Sequence, residues 1–200
     1  MANEAIQDRE LVRRFQEQRD IGAFDELVRR HSRQAYQLAY GTLLNREDAE
    51  EVVQDAFLRI YRSLDRFRND AEFSTWMYRI VVNLCHNKFR WNRVRGAGRT
   101  FSLDETPEDA AATRDSDRPR IELQQRELPP DKAAEFNELQ EQLAQAIREL
   151  PEAYRTTLLM RNVQEMDYEQ IAAALGLPVG TVKSRINRGR ELLRQALKVN

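Results

Sequence analysis

Cysteine occurs once, at Cys85, and histidine twice, at His31 and His86. One thiol excludes an internal disulfide and a cysteine-based metal site, and histidines 55 residues apart make no metal-ligand spacing. Cys85 reads as a small, partly buried side chain. No apolar run exceeds a few residues, whereas a bilayer span needs about 20, so no transmembrane helix and no membrane insertion are expected. Met1 to Asp20 is dense in charge and has no apolar leader segment, which together with the single thiol points to a reducing, intracellular compartment. There is no P-loop, no glycine-rich phosphate cradle and no Ser/His/Asp arrangement, and the carboxylates sit along charged helical faces. No active site and no cofactor are expected. Mean hydropathy is −0.74 and 41% of residues are hydrophobic, enough for one or two modest cores in 200 residues.

What is present is charge, unevenly distributed. The net charge is −1, from 32 basic and 33 acidic residues. Residues 1–100 carry +3, residues 101–150 carry −7 and residues 151–200 carry +3. Two basic ends around an acidic middle suggest polyanion contact at both ends.

Apolar spacing is helical almost everywhere. Phe24, Leu27, Val28, His31, Ala35, Leu38 and Thr42 step by three and four. So do Ala49, Val52, Val53, Ala56, Phe57, Ile60 and Leu64, and again Phe73, Trp76, Met77, Ile80, Val81 and Leu84. Each set is one stripe of an amphipathic helix. Asn45, with Asp48 three residues on, marks a helix start. No period-two pattern is sustained, so no sheet is predicted. From Arg95 to Asp131 the period vanishes among two glycines and four prolines, and Thr100 to Asp131 holds nine acids against four arginines. This reads as a mobile acidic linker, a plain tether or a competitor with nucleic acid for the flanking basic surfaces. Helical spacing resumes with Leu139, Leu143, Ala146, Ile147 and Leu150, and Pro151 stands where a new helix can begin. The expected fold is all-α: helical domains over 1–95 and 132–200, joined by a flexible linker over 96–131.

The segment Tyr168–Arg188 has helix-turn-helix spacing. Ile171, Ala172 and Leu175 form an inner face, and Gly176 stands at a sharp turn suited to positive φ. Leu177 closes the small core, and Val182, Ile186 and Leu193 are buried by a second helix opening near Pro178 or Val179. Its outer face carries Thr181, Lys183, Ser184, Arg185, Asn187, Arg188 and Arg190. Six basic residues stand against one acid between Val179 and Asn200. Arg suits guanine, Asn suits adenine, and Lys and Ser suit phosphates, so this helix is expected in a major groove. The competing reading is an ordinary helical hairpin with a solvated basic face.

In the first domain the corresponding block runs from Leu64 to Arg99. A loop leads into a helix capped by Ser74 or Thr75, carrying Trp76, Tyr78, Arg79, Asn83, His86, Asn87, Lys88 and Arg90. Five basic residues and no acid lie between His86 and Arg99. Aromatics and amides beside a basic stripe suit single-stranded nucleic acid, where bases stack on rings at about 1–3 kcal/mol each. Phe73 and Trp76 can equally be core aromatics.

Three segments then carry a family resemblance: Asp48-Ala-Glu-Glu-Val-Val-Gln-Asp-Ala-Phe-Leu-Arg-Ile-Tyr-Arg, Phe73-Ser-Thr-Trp-Met-Tyr-Arg-Ile-Val-Val-Asn, and Pro178-Val-Gly-Thr-Val-Lys-Ser-Arg-Ile. In this order they resemble the sigma-70 family of bacterial sigma factors, in its extracytoplasmic-function (ECF), sigma-E-like branch. The resemblance implies a transcription initiation factor, not an enzyme. It implies binding to core RNA polymerase, at the clamp helices of the largest catalytic subunit and at the flap. Gln54, Asp55, Leu58, Arg59 and Arg62 would face the clamp helices. Promoter DNA would be melted and read at the −10 element by Arg66, Arg68, Asn69, Phe73, Ser74, Trp76, Arg79, Asn83, His86, Asn87 and Arg90, with a flipped base in a loop pocket. The second helix of the helix-turn-helix would read the −35 element. The linker would run through the RNA exit path, and an anti-sigma factor would hold the protein inactive, cytoplasmic or tethered at the inner membrane. Asn187, Lys183 and Asn69 depart from the sigma-E pattern, which has an aromatic residue, Arg and Gly there. The alternatives are a dimeric helix-turn-helix regulator of duplex DNA and an adaptor that binds only protein. The basic recognition helix speaks against the adaptor, and the missing dimer interface and effector pocket against the regulator.

Overall fold

A computed structural model of the chain describes residues 2–68, 70–98 and 141–198, with side chains over 5–92 and 141–197 apart from Asn69. The described residues are helical with no strand. The first group is α1 (Ala2–Gln18), α2 (Ile21–Leu43), α3 (Arg46–Ser63), a 3-10 turn (Leu64–Arg66) and α4 (Phe73–Gly98). The second is α5 (141–149), α6 (Glu152–Asn162), α7 (Tyr168–Leu175) and α8 (Val179–Lys198).

The expected stripes form the core. Leu27, Leu38, Ile60, Leu64, Met77 and Val81 are completely buried, each side chain contributing about 1.5–3 kcal/mol by leaving water. Asn45 caps α3, its side-chain oxygen accepting from the Asp48 N–H at 2.8 Å. Glu47 and Asp48 add negative charge at the positive helix end. The start of α4 differs from expectation. The Trp76 N–H donates to the Glu72 carbonyl at 3.1 Å, so the helix opens before Ser74 and Thr75, and neither is the cap. The chain turns in early because Phe73 is drawn under the loop into the core, 5.2 Å from the His31 ring. At its other end α4 includes residues 96–98, expected in the linker. The remainder of that linker, and Leu139, lie outside the described residues.

His31 is a core residue with partners. Its Nε2 lies 2.7 Å from Asp8 Oδ2 and its Nδ1 3.2 Å from Gln34 Oε1, which ties α1 to α2. Cys85 is fully buried, and desolvation pushes its thiol up to about 12.

The two groups of helices pack against each other with a continuous hydrophobic core. α6 crosses α2 at Gly41, where a β-carbon would come within 2.6 Å of Leu159 Cδ1, so any side chain there displaces Leu159. Arg155 of α6 is buried. It donates to the Arg148 and Leu150 carbonyls at 2.9 and 3.1 Å, and across the junction to the Thr42 carbonyl at 2.8 Å. α7 lies on α4, and two bonds flank the contact: the Tyr78 hydroxyl of α4 donates to Gln164 Oε1, ahead of α7, at 2.7 Å, and Gln170 Nε2 of α7 donates to Glu72 Oε2, just before α4, at 3.0 Å. His86 Nε2 approaches Glu152 Oε1 at 3.0 Å. This contact holds the Glu152 carboxyl below its ordinary value, against the opposing pull of burial.

Candidate nucleic-acid interface

The first surface is a pocket. Leu64, completely buried, anchors the 3-10 turn, and the chain then leaves the core as a loop back to Phe73. Phe67 lies almost parallel to Trp76, ring centroids 4.6 Å apart and planes 27° apart. Phe73 props Trp76 from beneath at 6.1 Å and 62°. Around this aromatic floor opens a cavity of about 290 Å³, with Arg66, Arg68 and Arg79 on its walls beside Asp70. A half-exposed ring stack among guanidinium groups is suited to an unpaired base and its phosphates.

Arg79, Asn83, Asn87 and Arg90 continue from the pocket along the exposed face of α4, three or four residues apart and hence neighbours on a helix. Ser74 is half-buried at the first turn. Phe73 is the correction: it is 3% exposed, so it supports the pocket rather than touching DNA. His86 is half-buried and turned to Glu152. Lys88 is committed elsewhere, paired with Glu51 and, at 3.2 Å, with Asp48 on α3. Asn69 lies outside the described residues. Sequence reasoning did not find Phe67, nor Ser63, Asp70, Ala71 and Thr75 on the pocket wall, nor Ala173 of α7. The small Ala173 reaches the wall only because α7 packs on α4, and no local pattern signals that.

The second surface is one helix face. A capping box opens α7, Asp167 accepting from the Gln170 N–H at 2.7 Å while the Gln170 side chain accepts from the Asp167 N–H at 2.9 Å. Gly176 ends it with φ of 65°, and the Leu177 N–H donates to the Ala172 carbonyl. Val182 and Ile186 of α8 are completely buried, while Leu193 is half-buried. Gly189 lets α8 approach α6 closely, since a β-carbon there would meet Leu158 Cδ1 at 2.8 Å. Lys183, Ser184, Asn187, Arg188 and Arg190 are exposed, with Thr181 and Arg185 half-buried beside them. Arg188 is held by Glu191 at 3.0 Å, a surface pair that phosphate or a base edge can displace at small cost.

The third surface is α3. Gln54, Asp55, Leu58, Arg59 and Arg62 are all exposed, and Leu58 is 53% accessible, with Tyr61 partly exposed beside it. Large exposed apolar side chains rimmed by charge mark protein-binding faces.

Residues 27–95 match the Sigma-70 region 2 model and residues 140–193 the Sigma-70, region 4 model. The chain belongs to the sigma-70 family, in its ECF branch. It is 36% identical to the RNA polymerase sigma-H factor of Pseudomonas aeruginosa over 192 residues, covering 96% of this chain and 94% of that one. It is also 36% identical to the ECF RNA polymerase sigma factor SigW of Bacillus subtilis, covering 90% and 91%, and 35% identical to the ECF RNA polymerase sigma-E factor of Escherichia coli, covering 96% and 94%. In fold this ECF sigma factor resembles CnrH, solved in complex with the cytosolic domain of CnrY, with a TM-score of 0.66 at 24% identity over 97% and 99% of the chains. It also resembles the sigma factor RpoE of Bartonella quintana, solved with the anti-sigma factor NepR, with a TM-score of 0.63 at 21% identity over 88% and 98%. The ECF family consists of initiation factors rather than catalysts, and no helix among the described residues is long and apolar enough to cross a membrane.

Proposed function

We propose that this ECF sigma factor docks on core RNA polymerase through the exposed face of α3 and directs initiation with two DNA readers of different kinds. The helices of 1–95 and of 132–200 act as two domains. The pocket between the loop and α4 captures an unpaired base of the −10 element, and the basic face of α8 reads duplex at the −35 element. Arg66, Arg68, Trp76, Arg79, Asn83, Asn87 and Arg90 form the first reader. Thr181, Lys183, Ser184, Arg185, Asn187, Arg188 and Arg190 form the second. The observation that carries this is the Phe67–Trp76 stack within a ring of arginines. A reader of closed duplex has no use for a half-exposed aromatic stack beside a cavity, whereas a strand-separating factor must hold what it extrudes, at a cost of a few kcal/mol. The site of action is the cytoplasm, and an anti-sigma factor is the expected regulator.

Geometry adds a requirement. The two elements lie about 25 base pairs apart, roughly 85 Å at 3.4 Å per pair. Here Ala173 of α7 lines the loop pocket itself, so the readers sit side by side. The α4–α7 and α2–α6 contacts therefore part when the protein engages polymerase and promoter. The test is run-off transcription with purified core enzyme on a pool of promoter fragments. Discrete transcripts only in the presence of the protein are expected. Silence with several bacterial cores, alongside tight duplex binding without core, would overturn the reading.

A further inference from the structure

α1 precedes the region matched by the family model, and one of its residues reaches the pocket loop. The Gln16 amide nitrogen donates to two backbone carbonyls, Leu64 O and Phe67 O, at 2.8 Å each. These carbonyls bracket the 3-10 turn, which the Phe67 N–H closes on Leu64 O at 3.1 Å. Next to them Arg19 pairs with Asp65 at 2.6 Å. Gln16 is itself held firmly, because its neighbour Phe15 is locked in the core against Phe24 and Tyr61 at 5.8 and 5.5 Å. A primary amide offers two hydrogens from one nitrogen, so a single half-buried side chain satisfies both carbonyls and fixes their separation.

We infer that Gln16 is a positioning residue for base capture, setting the place of Phe67 against Trp76 from the far side of the loop. The inference rests on the reading of the loop pocket as the base-binding site. The Phe67 ring forms half of the stack, and its backbone carbonyl is one of the two that Gln16 grips. Without the clamp, the turn keeps its internal Phe67-to-Leu64 hydrogen bond and the Arg19–Asp65 pair but loses the two hydrogen bonds that fix its carbonyls to α1, and the Phe67 ring no longer has one position against Trp76.

The experiment is an abasic scan. Holoenzyme made with the full-length protein is bound to pre-melted promoter bubbles whose non-template −10 nucleotides are replaced one at a time by abasic sites. Wild type, Gln16→Met and Gln16→Glu are compared, with affinity for core measured in parallel. Met keeps the length and packing without a donor; Glu keeps the shape but turns oxygens toward two carbonyls. For wild type one abasic position is expected to weaken binding about tenfold, the loss of one stacked base. In both variants the intact bubble binds about as weakly as that abasic one, and removing the base then costs less than about twofold. A loss that is merely structural would instead leave the abasic penalty at its wild-type size while lowering binding everywhere. Equal penalties in wild type and variants would overturn the role of Gln16. No penalty at any position for wild type would overturn the pocket reading beneath it. Should Gln16→Met fail to fold, Gln16→Glu decides by the same comparison.

Discussion

The two surfaces proposed to read DNA are built with very different amounts of protein. The α8 surface is one face of one helix, its side chains spread over ten consecutive positions from Thr181 to Arg190. The loop pocket draws Arg66, Phe67 and Arg68 from a loop, Trp76 and Arg79 from α4, and its far wall from Ala173 in the other half of the chain. The helix face needs only its own backbone and a buried seam at Val182 and Ile186 to exist. The pocket exists only because several separate elements arrive at one place. A surface of the first kind tolerates motion of its domain, since it travels as a unit. A pocket of the second kind is rebuilt whenever its walls move, which makes it the part of the molecule most sensitive to whether the two halves are together.

The strongest way to break that contrast is to separate the halves. Gly41→Glu places a long side chain at the tight α2–α6 crossing, where even a methyl group would sit 2.6 Å from Leu159. A side chain of that size cannot fit without displacing Leu159, and a half-buried carboxylate adds a desolvation cost, so the junction opens. Tyr78, Val82 and Cys85 share the α4 face turned to α6 and α7, where Tyr78 is bonded to Gln164 and Glu152 lies near Cys85. Labelling of Cys85 by a thiol reagent is expected to accelerate about a hundredfold, roughly 3 kcal/mol of opening. Duplex binding by α8 should be unchanged, and unchanged labelling would mean that the halves do not part at this crossing.

Next in size is Trp76→Ala. It removes the floor of the pocket and should lower promoter melting about tenfold or more in a permanganate footprint, with affinity for core intact. Equal loss of core binding would show a folding defect instead. Arg188→Ala follows: −35-dependent initiation should fall by about 1–3 kcal/mol if Arg188 meets a base edge. A uniform loss across promoter sequences, with a shallower salt dependence, would make it a phosphate contact.

A further effect is confined to alkali. Cys85 titrates at about 12 in the fold, above its ordinary value near 9. The unfolded chain therefore loses its thiol proton first as pH rises. The stability associated with the buried thiol is complete below pH 9 and declines as pH climbs toward 12. Cys85→Ala should flatten that part of a denaturation series, and an unchanged slope would mean the thiol is open to water.

How much of this was legible in the sequence follows from the same contrast. The basic face of α8, the turn at Gly176 and the Asn45 cap were readable because each depends on residues within a turn or two of one another. Asn83 stands one position off the apolar stripe of Ile80, Val81 and Leu84, an offset that puts it on the surface, and it is exposed. The cap at Ser74 or Thr75 was misread because Phe73, an ordinary stripe member by spacing, is pulled under the loop and starts the helix early. The same pull removes Phe73 from the DNA-facing set. Lys88 belonged by charge to the basic stripe, yet Glu51 and Asp48 on α3 claim it, and their approach is set by helix packing.

By itself the sequence determined the helices, their apolar faces and the family, because a 3.6-residue period and a motif are properties of neighbouring residues. Only the tertiary structure decided that Gln16 grips a turn 48 residues away, that Arg155 donates to the carbonyl of Thr42, and that Ala173 lines the loop pocket. Those contacts depend on where whole helices come to rest. That is a matter of packing volume, down to a missing methyl group at Gly41, and no local period encodes it.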